Sequence, residues 1–185
     1  MERVFACVGL VTAAIIAAKA FIFLRIYLLP SNLHRYIHNA ADGRQAWVLV
    51  TGASDGIGRS LAQELAANGL NVVLHGRNRE KLATVMSELQ QLFPKRSFRI
   101  LIADASQVRG LTHNKTHETG VDFESIKESL DDLHLTILIN NAGGGPVNPV
   151  CLPFSESSEE RVTANVSLNA LFPAHLIRVL FTSSC

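Results

Sequence analysis

Hydrophobic and polar positions divide the chain into two regimes. From Val4 to Leu24 the sequence reads VFACVGLVTAAIIAAKAFIFL, an apolar run interrupted only by Thr12 and Lys19. At about 1.5 Å per residue a helix of this length crosses a hydrocarbon core of roughly 30 Å. After the stretch PSNLHRYIHNAADGRQ the pattern changes, and short β-prone runs alternate with segments of helical period. The first strand is expected over Ala46 to Thr51. Its helix, with Ile57, Leu61 and Leu65 on one face, runs to about Ala67 and stops at Asn68-Gly69. A second strand, NVVLH, is followed by a helix capped near Asn78 that carries Leu82, Val85 and Leu89 and ends before Pro94. The third strand, SFRILIA, ends at Asp104, and the polar, aperiodic residues 105–120 read as a surface excursion. Asp122 caps a short helix with Phe123, Ile126 and Leu130 inward, and LTILI forms the fourth strand. Beyond NNAGGGPVNP, Ser157 and Glu160 make a capping box for a last helix, which carries Val162, Val166 and Asn169 and bends at Pro173.

Strands alternating with helices of this length predict an α/β fold with parallel pairing, an open doubly wound sheet of about four strands. The expected organisation is a membrane anchor over residues 1–29, a juxtamembrane linker over 30–45, and the amino-terminal part of an α/β domain over 46–185.

Composition narrows the function. The chain has 185 residues, 48% hydrophobic and 18% charged, with net charge +1, which gives no electrostatic bias toward nucleic acid. Three cysteines, Cys7, Cys151 and Cys185, are widely spaced and lack any C-x-x-C, so neither a disulfide framework nor a metal site is expected. The pairs His34 with His38 and His113 with His117 lack the acidic residue of an H-E-x-x-H metal helix and read as surface residues.

The amino-terminal span reads as an anchor. Lys19 lies near enough to its end to snorkel, and Arg25, Tyr27 and Arg35 follow where interfacial anchors belong. A cleaved signal peptide is the competing reading, because Ala18-Lys19-Ala20 resembles a cleavage site, but cleavage there leaves FIFL as the new terminus. Lys19, Arg25, Arg35 and Arg44 lie on the carboxyl side against Arg3 before it, which places the bulk of the chain in the cytosol. On that topology the Asn114-Lys115-Thr116 sequon never meets the glycosylation machinery.

The candidate chemistry begins at TGASDGIG, residues 51–58, where Gly52, Gly56 and Gly58 stand between a strand and a helix. Glycine lets backbone approach closely, and the first helical N–H groups with the positive end of the dipole favour a phosphate, for which a dinucleotide pyrophosphate is the natural occupant. The bland alternative is a loop that needs glycine only to turn.

These residues resemble the short-chain dehydrogenase/reductases. TGASDGIG is similar to that family's T-G-x-x-x-G-I-G cofactor turn, Asn140 to Gly143 to its N-N-A-G after the fourth strand, and Asp104 to its acidic residue after the third. The resemblance covers roughly residues 46–180. Within the family, SDGIG and NNAGGGP look like the membrane-bound 3-ketoacyl-CoA reductases and related 17β-hydroxysteroid dehydrogenases of the endoplasmic reticulum, with which the anchor agrees. It implies that residues 46–185 are the amino-terminal part of an NADP-binding Rossmann domain, with an NADP(H) site built from Gly52, Ser54, Asp55, Gly56, Ile57, Gly58, Arg77, Asp104, Asn140, Asn141, Ala142 and Gly143. A carboxylate at the end of the second strand would hold a ribose 2′-hydroxyl and repel a 2′-phosphate; this chain has Gly76 there and Arg77 next, which favours NADP(H). Taken singly, Arg77 also reads as a solvated surface residue, Asp104 as a turn residue, and Asn140 and Asn141 as groups that satisfy strand backbone.

The family's chemistry uses an Asn, a Ser and a Tyr-x-x-x-Lys pair. Asn165 matches the helical Asn. The only tyrosines, Tyr27 and Tyr36, precede the cofactor turn and are followed four residues later by Ser31 and Ala40; Ser183 and Ser184 fall too early for the family's serine. The sequence therefore reads as the amino-terminal part of a reductase whose catalytic tyrosine and lysine are absent. Two functions stand: an NADPH-dependent ketoreductase by descent, inactive alone, and a non-catalytic module tethered to the endoplasmic-reticulum membrane that binds nucleotide or pairs with a full-length reductase through an open sheet edge.

Overall fold

The computed structural model describes residues 1–29, 31–108, 120–145 and 152–181, and of Ile26 only the backbone. The Asn114 sequon, the His113–His117 pair, Cys151, Ser183, Ser184 and Cys185 lie outside them. The chain falls into two compact units, Met1–Arg35 and Tyr36–Cys185. The boundary lies inside the expected linker, because Ala40 N–H donates to the Arg44 carbonyl and the Arg44 guanidinium to the Asp131 carbonyl, which ties residues 40–44 into the second unit.

The first unit is α1, Glu2–Leu28, followed by a 3₁₀ turn at Leu33–Tyr36 that crosses into the second. Residues Glu2–Arg25 of α1 are long and apolar enough to cross a membrane, and none of their most apolar stretch is buried within the protein.

The second unit is an α/β sheet. Its strands are β1 (Ala46–Thr51), β2 (Asn71–Gly76), β3 (Phe98–Ile102) and β4 (His134–Ile139), in the order β3-β2-β1-β4, all parallel. Helices α2 (Gly56–Ala67), α3 (Arg79–Leu92) and α4 (Phe123–Leu130) make the three crossovers, and α5 (Glu159–Val166) and α6 (Phe172–Phe181) follow. Parallel strands buried on both faces explain the continuous apolar runs of β1 and β2. On one face Leu49, Val73 and Leu101 pack with Phe123, Ile126 and Leu130 of α4 and Phe172, Leu176 and Val179 of α6. Gly76, on the other face, lies against Leu82 of α3. The chain steps outward from β1 to β3 and then returns to the far side of β1, so the carboxyl ends of β1 and β4 diverge at a topological switch point, the usual place for a ligand crevice in such sheets.

Several local expectations shift. Ile57 is 74% exposed, and α2 buries Gly58, Ala62 and Ala66 beside the expected Leu65, because its face is set by close approach to the sheet rather than by its largest side chains. The excursion after β3 is pinned at both ends: Val108 and Val121 form a bridge and both are buried. The cap of α5 is Ser158, not Ser157, with its hydroxyl accepting from Arg161 N–H. The last helix is broken by a π-helical turn, Ser167–Leu171, just before Pro173. Proline has no N–H to give the carbonyl four residues back, and a turn wound one residue wider relieves that constraint. It also leaves Val166 and Asn169 exposed and buries Ser167 and Phe172.

Membranes from cells producing the full chain are expected to retain it through a carbonate wash, since about 20 apolar residues make insertion effectively permanent. Removing residues 1–29 should transfer it to the supernatant; release of the full chain by carbonate would refute the span.

Candidate nucleotide site

The site forms where the loops after β1 and β4 meet. Thr51 closes β1, and its hydroxyl accepts the N–H groups of Asn141 and Ala142, each at 2.9 Å, while lying 3.3 Å from the Ile139 carbonyl, to which it donates. The Asn141 amide returns the connection by donating to the Thr51 carbonyl at 3.0 Å and the Gly52 carbonyl at 3.4 Å. Gly52 has φ +67°, and a Cβ there would stand 3.0 Å from Ala142 Cα. A Cβ on Gly58 would overlap the Gly52 carbonyl oxygen. Glycine at these two positions is thus required by backbone conformation at one and by close approach at the other. The α2 amino terminus is capped by Asp55, whose carboxylate accepts from Gly56 N–H at 2.7 Å.

A cleft of about 190 Å³ opens beside this junction, lined among others by Gly52, Ser54, Arg77, Asp104, Ala142 and Gly143. Six of the sequence-predicted residues therefore come together. Asp55 caps α2, Gly56 adopts φ +55°, Ile57 is exposed, and Gly58 supports the turn from behind. Asn140 is exposed, and Asn141 is spent on the β1 backbone. Asn165 donates to the Arg161 carbonyl of its own helix and does not line the cleft.

Arg77 follows β2, is exposed, and has no ion-pair or hydrogen-bond partner among the described residues. Asp104 uses one carboxylate oxygen, Oδ1, to accept from Ser106 N–H and Ser106 Oγ, at 3.0 and 2.7 Å, which fixes the side chain at the end of β3. A guanidinium with no partner among the described residues, glycine backbone and a fixed carboxylate, all lining one cleft, are groups suited to a phosphorylated nucleoside, the first two as donors and the last as an acceptor.

Two contributors escape sequence reading. Asn169, in the π-helical turn, accepts from Gly144 N–H and donates to the Gly144 carbonyl, both at 3.0 Å, and so clamps the glycine loop after β4 like a strand partner. Its only signal in the sequence is a polar residue inside VSLNALF. His75, the penultimate residue of β2, lines the cleft, is 1% exposed, and stacks on Phe172 with ring centroids 4.9 Å apart. Its signal is a single imidazole after the apolar run Val72–Leu74. Burial lowers its pKa from 6.5 to about 4, against the Ala103 backbone and the Asp104 carboxylate, which both favour the charged ring.

Comparison with known proteins then decides the family. The model of the family described as short chain dehydrogenase matches residues 46–183. The chain belongs to the short chain dehydrogenase family. It is 33% identical over 150 residues to a very-long-chain 3-oxoacyl-CoA reductase of Aspergillus terreus, covering 81% of this chain and 38% of that one. A reductase of the same description from Aspergillus clavatus is 33% identical over 172 residues, covering 92% and 46%. The chain thus spans less than half the length of these relatives. Among solved structures, a short-chain dehydrogenase from Sphingobium yanoikuyae in complex with NADPH superposes with a TM-score of 0.60 at 26% identity, covering 73% of this chain and 47% of that one. The bulky-bulky ketone specific alcohol dehydrogenase from Comamonas testosteroni gives 0.58 at 28%, covering 72% and 47%. Membership in the short chain dehydrogenase family agrees with the parallel sheet and with the cleft at its switch point.

Two outcomes follow from this geometry. Gly58→Ala should destabilise the second unit by about 1–3 kcal/mol, read as a lower denaturant midpoint, because the added methyl forces the β1 turn and α2 apart; an unchanged midpoint would contradict the packing. For His75, the unfolded chain titrates near 6.5 and the folded chain near 4, so across that window only the unfolded chain takes up the proton. Stability is then complete above the upper value and falls as pH falls toward the lower one, by an amount on the order of 3 kcal/mol. Denaturant melts at neutral pH and at about pH 5 should show about 2 kcal/mol of this loss in the natural chain and a smaller one in His75→Phe.

Proposed function

We propose that the chain is the nucleotide-binding part of an NADPH-dependent ketoreductase acting on 3-ketoacyl-CoA or ketosteroid substrates, and that by itself it binds the 2′-phosphoadenosine end of NADP(H) without turnover. The observation that carries this reading is Arg77, without a partner among the described residues, beside Gly76 at the end of β2, where an acidic residue would exclude a 2′-phosphate. The names of the relatives support the substrate class, and the NADPH in the Sphingobium yanoikuyae structure supports the cofactor.

The residues present fit the adenosine half of the group. Gly52 and Ser54 line the cleft beside the α2 amino terminus, in a turn that the close approach of Gly58 to the Gly52 carbonyl holds in shape, Arg77 supplies charge for the 2′-phosphate, and Asp104 offers its second oxygen at the end of β3. When bound, the nicotinamide supplies the hydride. The chain's own residues then hold and orient the remote end. No tyrosine follows Tyr36, so no phenol is present to protonate a carbonyl oxygen and no Tyr-x-x-x-Lys pair to tune it. Loss of a positioned acid costs about 10²- to 10⁴-fold, and loss of the alignment of hydride and carbonyl forfeits up to roughly 7–11 kcal/mol of barrier lowering. Asn165, bonded within α5, does not replace them.

The setting we propose is the endoplasmic-reticulum membrane, with α1 as a single span and the bulk of the chain cytosolic; the length and apolarity of α1 and the basic residues that follow it support this. A second reading, a tethered non-catalytic module that pairs with a full-length reductase, draws its support from β4. All six β4 residues are half-buried, unlike β1 and β2, and among the described residues only β1 pairs with it.

Calorimetry on the full chain in detergent is expected to show binding of adenosine 2′,5′-bisphosphate, weakened at least about tenfold by Arg77→Asp, with 5′-AMP much less affected. NADPH oxidation with 3-ketoacyl-CoA or ketosteroid should stay at the level of protein-free buffer. Turnover by the isolated chain would defeat the inactive reading, and equal binding by Arg77→Asp the 2′-phosphate assignment.

A further inference from the structure

We propose that the corner of the second unit formed by Leu92, Phe93, Pro94 and Lys95 docks on the acidic phospholipid surface of the bilayer that α1 spans. This rests on the single-span reading above and adds to it the face that the second unit turns to the membrane.

A parallel sheet has two unlike edges. The cleft lies at the carboxyl ends of the strands, and the amino ends carry the loops that lead into β2 and β3. Between these two loops is a groove of about 320 Å³, lined by Gly69 on one side and by Leu92, Phe93, Pro94 and Lys95 on the other. Helix α3 buries Leu82, Val85 and Leu89, and Leu92 continues that stripe by period, yet it is 59% exposed. Pro94 and Lys95 beside it are exposed as well. An apolar residue at a position of core period, left open next to a cation, marks a contact surface.

Charge selects an acidic partner. Lys95 has no ion pair among the described residues, and Arg96 gives one guanidinium nitrogen to the Gly69 carbonyl at 2.6 Å. Elsewhere along this edge Arg44 pairs with Asp42 and Arg99 with Asp132. Asp131 follows α4, which covers the other face of the sheet, and Glu64 of α2 accepts from the Asn68 amide.

The covalent connection selects a bilayer over a free partner. A Cβ on Gly69 would stand 4.0 Å from Ile37 Cγ2, so the groove adjoins the point where the chain enters the second unit. Ile37 follows Leu28, the end of α1, by nine residues, which span at most about 30 Å when extended. The 3₁₀ turn Leu33–Tyr36 shortens that reach. A tether this short keeps the corner at high effective concentration beside the headgroups, so a contact too weak to recruit an untethered protein suffices. Leucine, phenylalanine and proline suit the boundary between headgroups and acyl chains, and an ammonium suits the phosphates and carboxylates above it. Docking by the amino ends turns the cleft away from the bilayer.

The test places the full chain in nanodiscs of phosphatidylserine and phosphatidylcholine, with and without bromine on the acyl chains. Trp47 is the only tryptophan, so in a Trp47→Phe background Leu92→Trp and Ile57→Trp each report one exposed position, at opposite edges of the sheet. We expect brominated lipid to quench the Leu92→Trp emission at least about twofold and to leave that of Ile57→Trp unchanged. Lys95→Glu, or discs of phosphatidylcholine alone, should weaken the quenching of Leu92→Trp. Equal quenching at the two positions, in chain that a carbonate wash leaves in the membrane, overturns the docking and leaves the span standing. Quenching indifferent to Lys95 and to lipid charge overturns the acidic partner, and release by carbonate overturns both docking and span. If Trp47→Phe fails to fold, amide exchange in the natural chain decides: residues 92–96 should exchange more slowly in acidic discs than in phosphatidylcholine discs, and equal rates overturn the proposal.

Discussion

The site depends on one buried hydroxyl. Thr51 is 1% exposed, and its oxygen uses all its hydrogen-bonding capacity on the far loop, accepting from Asn141 and Ala142 and donating to Ile139. A valine keeps the shape of the strand and makes none of these bonds. The glycine turn relies on the same junction, because the positive φ of Gly52 and the contact of Gly58 with its carbonyl make sense only while Ala142 and the Asn141 amide stand behind them. The loops after β1 and β4 are therefore a single cooperative object, and the cleft is the space beside it. Buried polar networks of this kind are stable when every member is satisfied and fragile when one is removed.

Much of this was legible in the residues because local and global signals agreed. The four strands, the caps at Asn78 and Asp122, and the buried faces of α3 and α4 follow from period and capping chemistry alone, and the structure has them. The failures share a cause. Ile57 looks like a core residue by spacing, yet the close approach of α2 to the sheet is set by Gly58 and Ala62, which hydrophobic period undervalues. His75 and Asn169 read as unremarkable within an apolar strand and a helix; their roles arise from what lies across from them, which spacing does not encode.

The π-helical turn shows how a local defect can serve a distant loop. Pro173 withholds an N–H from the turn before it, and the chain answers with a wider turn over Ser167–Leu171. That change of phase buries Ser167 and Phe172 while directing Asn169 outward to grip Gly144 from both its N–H and its carbonyl. Phe172, at the end of the same turn, is the ring on which His75 stacks. One irregularity thus meets the cleft at two places, its glycine wall and its imidazole.

The strand order separates binding from chemistry along the chain. Groups suited to an adenosine end come from the ends of β1, β2 and β3, within residues 52–106, and the loop after β4 lines the same cleft. The tyrosine and lysine that the family's reaction requires have no counterpart in this sequence. Enzymes use binding energy at the remote end of a ligand to position its reacting end, and that advantage is realised only where the reacting end meets its catalytic groups. On the proposed reading, this chain holds the first part of that arrangement and not the second. On that reading its cleft gains affinity from Arg77 without any gain in rate.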